Sequence, residues 1–142
     1  MLPSVLIGSD HAGYTAKNAI FNLLHNLGYH VEDIGCYNES PVDYPDISKL
    51  MCSRIEVTHF IGILLCGTGQ GMAMSANRQS HIRAGVAWNE NIAELLKLHN
   101  NANVLCLPAK FMEIDEMKKV VLKFLTTNFS KEERHVNRLA SF

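Results

Sequence analysis

The sequence predicts an α/β protein: a parallel β-sheet of five strands covered by helices on both faces. Three observations lead there. Short apolar runs alternate with stretches whose apolar residues recur every three or four positions, the signatures of buried strand and amphipathic helix. The segments between them are short, which favours parallel strands joined by helical crossovers. The length, 142 residues, suits one domain over 1–142, burying about 70% of the surface its unfolded chain exposes.

Residues 4–8, Ser-Val-Leu-Ile-Gly, read as the first strand, broken by Ser9-Asp10-His11-Ala12-Gly13. Residues 18–27 carry Ala19, Ile20, Leu23, Leu24 and Leu27 at helical spacing, and Gly28 supplies a C-terminal stop. Residues 29–34 fit a second strand through Val31 and Ile34, and 35–45 form a polar loop. Residues 46–55 place Ile47, Leu50, Met51 and Ile55 on a second helix. Residues 60–65 are the third strand, followed by a loop with Gly67, Gly69 and Gly71 and a helix to Arg78. Residues 82–87 read as the fourth strand, 90–98 as a helix, and 103–107 as the fifth strand. Residues 114–125 form an amphipathic helix with Met117, Val120, Val121, Phe124 and Leu125 on one side. The polar tail, 131–142, reads as helical.

Composition narrows the function. A net charge of −1 gives no basic field for nucleic acid or an anionic membrane surface. The opening residues Met1-Leu2-Pro3-Ser4 lack a basic region followed by a long apolar segment, so no signal peptide or membrane span is read. Cys36, Cys52, Cys66 and Cys106 show neither C-x-x-C nor zinc spacing, and a reduced, cytoplasmic protein is expected. His25, His30, His59 and His81 have no partners at metal spacing. No metal is expected.

In open parallel sheets, ligands bind beyond the carboxyl ends of the strands. Three polar clusters follow strand ends: Asp10-His11, the loop after Cys66, and the segment around Lys110. The loop reads Gly67-Thr68-Gly69-Gln70-Gly71, which is neither the dinucleotide fingerprint nor a P-loop. Its glycines leave backbone N–H groups uncovered, and such groups at a helix start attract negative charge. Cys66 precedes them, where a thiolate is favoured, although a buried, inert thiol is the commoner fate of a free cysteine. Asp10 could serve the ligand rim or cap a turn. Arg134 and Arg138 share a helix face and could clamp a phosphate or carboxylate, or be solvated charges beside Glu132 and Glu133. His99 precedes the fifth strand, so within one chain it belongs at the opposite end of the sheet from Cys66.

Several stretches carry a family resemblance. They are Gly8-Ser9-Asp10-His11-Ala12-Gly13, Asp43-Tyr44-Pro45, Gly62-Ile63-Leu64-Leu65-Cys66-Gly67-Thr68-Gly69-Gln70-Gly71, Ser75-Ala76-Asn77-Arg78, Ile82-Arg83-Ala84, His99-Asn100-Asn101-Ala102-Asn103-Val104-Leu105 and Glu133-Arg134-His135 with Arg138. In this order they resemble the type B ribose-5-phosphate isomerases, relatives of the galactose-6-phosphate isomerase subunits. The resemblance covers nearly the whole chain.

It implies a three-layer α/β/α sandwich with strand order 2-1-3-5-4. It also implies a homodimer, sometimes paired into a homotetramer, with active sites shared between subunits and no cofactor. The implied reaction interconverts ribose 5-phosphate and ribulose 5-phosphate within the pentose phosphate pathway. Cys66 would be the base, His99 would open the sugar ring, Thr68 would relay a proton, and Asp10 would hold hydroxyls or assist ring opening. Gly67, Gly69, Gln70 and Gly71 would surround the enediolate. Tyr44 and Asn100 would be further substrate contacts, with His99 and Asn100 coming from the partner subunit. His11, Arg134 and Arg138 would hold the phosphate. One branch of the family places a Glu base where Met72 stands here, so this chain resembles the cysteine branch. Many relatives carry Arg where this chain has Lys110, which keeps the charge without the bidentate fork. Isomerisation of a six-carbon sugar phosphate (allose or galactose 6-phosphate) is the close alternative. A non-catalytic phosphosugar-binding module and a cysteine hydrolase stand further off.

Overall fold

Side chains of a strand point alternately to the two faces of its sheet, and that alternation organises this molecule. The computed structural model describes residues 1–142. The chain runs β1 (Val5–Ser9), a 3₁₀ turn (His11–Gly13), α1 (Tyr14–Asn26), β2 (Val31–Asp33), α2 (Tyr44–Thr58) and β3 (Ile61–Cys66). It continues through α3 (Gln70–Ala76), β4 (Ala84–Val86), α4 (Glu90–Asn100), β5 (Val104–Pro108), α5 (Ile114–Thr126) and α6 (Glu133–Ala140). The five strands are all parallel, in the order β2-β1-β3-β5-β4. This is the α/β class read from the periodicity and the order that the resemblance implies.

Val5, Ile7, Ile63, Leu65, Leu105 and Leu107 face one side and pack with residues of α1, α4 and α5. Leu6, Leu64, Cys66, Val104 and Cys106 face the other and pack with α2 and α3. Two cores, one on each face, make the three layers. The central strands β1, β3 and β5 are buried almost throughout, while β2 and β4 are only partly covered. No helix is long and apolar enough to cross a membrane.

The structure moves several boundaries. The first helix starts at Tyr14 rather than at 18, because the 3₁₀ turn capped by Asp10 leads directly into it. The second strand keeps only three residues. Tyr29 instead donates its N–H to the carbonyl of Leu24, closing the turn after α1. The fourth strand shrinks to Ala84–Val86, since Ile82 closes a turn onto Gln79. Both shortened strands are sheet edges, paired on one side only. Helix α4 runs on through Asn100, so His99 lies in its last turn rather than beyond it.

Candidate active site

The first group of polar residues gathers beyond the carboxyl ends of β1, β3 and β5. Asp10 follows β1, and its N–H donates to the carbonyl of Leu65 at 3.1 Å. Its Oδ1 accepts from the N–H groups of Ala12 at 2.9 Å and Gly13 at 3.2 Å. The capping role read from the sequence is therefore present, and Oδ2 makes no hydrogen bond within the chain. His11 beside it is exposed. The N–H of Val42 donates to its Nδ1 at 3.2 Å. A nitrogen that accepts a hydrogen bond carries no proton, so the neutral ring is protonated on Nε2.

Cys66 is the last residue of β3, and strand alternation turns its side chain towards Met72 and Ala73 in the α2–α3 core. It is buried, and the N–H of Gly69 donates to its Sγ at 3.2 Å. Gly69 sits at φ +76°, the left-handed region, against the backbone of Leu107 and Pro108. This sharp turn folds the loop back so that its N–H meets the sulfur. Gln70 donates its N–H to Oγ1 of Thr68 at 3.2 Å. The N–H groups of Gly67, Thr68 and Gly71 find no acceptor in the chain. A thiol thus stands beside three free donors.

Two further predicted residues close over this loop. Lys110 donates its N–H to the carbonyl of Gly67 at 3.0 Å, and Ala109 donates to that of Cys66 at 2.9 Å. The aliphatic stem of Lys110 covers Gly67, where an added Cβ would lie 3.2 Å from Cδ. The ring of Tyr44 covers Gly71 so closely that a Cβ there would come within 2.4 Å of Cζ. Asp10, His11, Tyr44, Cys66, the loop and Lys110 therefore form one neighbourhood.

The remaining predicted residues form a second group. His99 stacks on His135 of α6, ring centroids 4.2 Å apart and planes inclined by 19°. The segment before α6 is tied to α4 by the N–H of Ser130, which donates to the carbonyl of Leu98. His135 is buried and its Nε2 has no hydrogen-bond partner. Burial, then His99, then Arg134 hold it below the usual histidine value, against the opposing pull of Glu132. Arg134 donates from Nε to Glu132 Oε2 at 3.0 Å on the surface, and Arg138 lies one turn further along α6. Asn100 lines a groove of about 640 Å³ with Asn77, Arg83, Leu139 and Phe142. This largest groove belongs to the second group and does not include Cys66.

The two groups sit at opposite ends of the sheet. Cys66 ends β3 opposite Pro108, while α4 delivers the chain to the start of β5 at Val104, opposite Gly62. Four residue steps of strand separate those levels, about 13 Å. Sequence reasoning placed His99 at the far end correctly but gave no hint of its stacking on His135, a contact between helices distant in sequence. It also passed over Lys17, whose side chain is fully buried. No group of three His, Cys, Asp or Glu side chains is arranged as a metal site.

Residues 5–142 match the family described as Ribose/Galactose Isomerase. A Rickettsia conorii protein named only for the sugar phosphate isomerase class is 42% identical over 138 residues, covering 96% of this chain and 95% of that protein. The crystal structure of a ribose 5-phosphate isomerase from Thermotoga maritima superposes with a TM-score of 0.95 at 40% identity, covering 98% of this chain and 96% of that one. A ribose-5-phosphate isomerase B from Mycoplasma genitalium with bound ribulose 5-phosphate gives a TM-score of 0.92 at 37% identity, with 97% and 92% covered.

Proposed function

This chain belongs to the ribose/galactose isomerase family, and from that premise we propose that it interconverts ribose 5-phosphate and ribulose 5-phosphate through a cis-enediolate. One observation carries the mechanism: the Cys66 thiol stands beside the unoccupied N–H groups of Gly67, Thr68 and Gly71. A proton carrier and a set of donors for a developing oxyanion are the two parts that enediolate chemistry needs. The ribulose 5-phosphate held by the Mycoplasma genitalium neighbour supports the choice of substrate.

The steps follow from the residues. Ring opening requires an acid at the ring oxygen and a base at the O1 hydroxyl, and His99 fills the first role. Cys66, as thiolate, removes the proton from C2. The electron pair moves into the C1–C2 bond and the aldehyde oxygen becomes the enediolate oxygen, facing the loop N–H groups. Thr68 passes the proton of the O2 hydroxyl to O1. Collapse of the O2 oxyanion to a carbonyl then takes the proton from Cys66 onto C1, giving the ketose. Asp10, through its free Oδ2, holds sugar hydroxyls, and Tyr44, Gln70 and the loop glycines enclose the carbon chain. His11, Arg134 and Arg138 hold the phosphate, and Lys110 adds positive charge beside the loop.

This scheme uses residues from both groups, which one chain keeps apart. The active site is therefore formed between two copies of the chain, with His99 and Asn100 of one facing Cys66 of the other. The reaction itself is tested by converting ribose 5-phosphate with the wild type and with Cys66→Ala. Loss of a general base lowers kcat by about 10²–10⁴-fold. Full activity in Cys66→Ala would remove the thiol from the mechanism, and an inactive wild type would remove the reaction. Solvent deuterium at C1 of the ketose supports the enediolate, and kcat/KM for five- against six-carbon sugar phosphates measures the substrate length.

A further inference from the structure

Lys17 has no place in the steps above, yet its setting is unusual. Its side chain is fully buried, a rare state for lysine unless it is paired. Its Nζ donates to Asp33 Oδ2 at 2.5 Å and to the carbonyl of Cys36 at 2.7 Å. The rings of Tyr14 and Tyr37 flank it, with centroids at 5.3 Å and 5.8 Å. The other oxygen of Asp33 accepts the N–H of Gly35 at 2.8 Å, and Tyr37 donates its hydroxyl to the carbonyl of Asp33 at 3.2 Å. The ammonium thus holds one turn of α1 to the end of β2 and to the loop that follows.

That loop meets the candidate site at both ends. Cys36 donates its N–H to the carbonyl of Ser9 at 2.8 Å, and Ser9 donates its N–H to the carbonyl of Gly35 at 2.7 Å. Ser9 is the residue before Asp10. Further along, the loop delivers Val42, whose N–H fixes Nδ1 of His11. The side-chain ties on the backbone of Gly35 and Cys36 come from Asp33 and Lys17, beside the two backbone bonds to Ser9. The hydrogen bond that sets the His11 tautomer comes from the same loop.

We propose that Lys17 is a positioning residue: by holding the loop that starts at Gly35 against β1, it sets the His11 ring, with Nε2 protonated and free, for the substrate's phosphate. This rests on the isomerase reading of the site, and its own readout is independent of activity. Burying an unpaired charge is strongly disfavoured, so the informative variant removes both charges together, Lys17→Met with Asp33→Asn. The His11 ring nitrogens are followed by ¹H–¹⁵N correlation, assigned with His11→Gln, alongside kcat and KM for ribose 5-phosphate.

The expected result is loss of the single Nε2–H tautomer of His11, with KM raised about tenfold, the scale of one weakened contact to a charged group, and kcat within about threefold. An unchanged His11 ring in the folded variant overturns the proposal, whatever KM does. A lower kcat at unchanged KM overturns it too. If the double variant does not fold, Lys17→Arg serves. A guanidinium cannot reproduce both ammonium contacts in a fully buried slot, so the same shift is expected and its absence is again decisive. Should the wild type prove inactive on ribose 5-phosphate, the isomerase reading falls, while the His11 signals still decide the role of Lys17.

Discussion

Gly69 and Gly71 stand two positions apart in one loop but are glycine for different reasons. Gly69 has φ +76° and lies 3.2 Å from the Leu107 backbone by its added Cβ, so neither its conformation nor its neighbour yields. Gly69→Ala should lower stability by about 1–2 kcal/mol from the left-handed backbone alone and move the N–H off the Cys66 sulfur. At Gly71, the three atoms nearest an added Cβ all belong to the outer ring of Tyr44, which is partly exposed and can swing away. Alanine also favours helix over glycine by about 0.5–1 kcal/mol. Gly71→Ala should therefore change the thermal midpoint little while raising KM, because the displaced ring no longer covers the loop. Thermal denaturation with steady-state kinetics separates the two variants, and a large stability loss at Gly71 would contradict this account. The place of Cys66, Asp10 and His11 at the carboxyl ends of strands was legible in the sequence because each follows a short apolar run bounded by turn residues. Lys17 was not legible, since it stands before the helical stripe read over 18–27, outside any apolar pattern. Its burial depends on Asp33 and Cys36 arriving from the next strand and loop.

Helix α6 is the element whose stability should follow pH near neutrality. Its His135 is held below the ordinary histidine value by burial, by the stacked His99 and by Arg134 and Arg138, with Glu132 opposing. A depressed histidine pKa means the folded chain binds fewer protons than the unfolded one in the window between the two values. Stability is then complete above the unfolded value of about 6.5 and is lost as the pH falls from there to the folded value. His135→Phe keeps a stacked ring and removes the proton site. The wild type should thus lose stability as the pH falls below about 6.5, relative to its own value at pH 8, and the variant should lose less. Denaturant midpoints at several pH values measure this, and parallel curves would count against it. Glu32, held low chiefly by Arg54, acts on the acid side of that window, below its ordinary carboxylate range. At this scale the sequence spoke most clearly for the centre of the sheet. The strands β1, β3 and β5 are buried on both faces, so their apolar runs are nearly continuous. The edge strands β2 and β4 were overestimated because pairing on one side sustains only three residues of ladder. Part of the edge of β4 is occupied by Asn77, which donates to the carbonyl of Ala84 and accepts its N–H, both at 2.8 Å. No pattern of apolar residues announces such a bond.

Across the whole molecule, the parallel sheet holds the two polar groups apart. All strands point the same way, so every residue that follows a strand lies at one end and every residue that ends a crossover helix lies at the other. Cys66 belongs to the first set and His99 to the second, and no rotamer change spans about 13 Å of intervening strand. A reaction that uses both residues requires two chains. This gives a quantitative test with two inactive variants, Cys66→Ala and His99→Asn. In a mixed dimer, one composite site carries both substitutions and is dead. The other takes its cysteine from the His99→Asn chain and its histidine from the Cys66→Ala chain, and is intact. Random mixing of equal amounts makes half of the dimers mixed, each with one working site of two, so activity should return to about a quarter of the wild-type value. Co-refolding the variants at equal concentration and assaying ribose 5-phosphate conversion performs the test. Dilution below the dimer dissociation range should abolish the recovered activity together with that of the wild type. A mixture as inactive as its components, under conditions where differently tagged chains co-purify, would overturn the site shared between two chains.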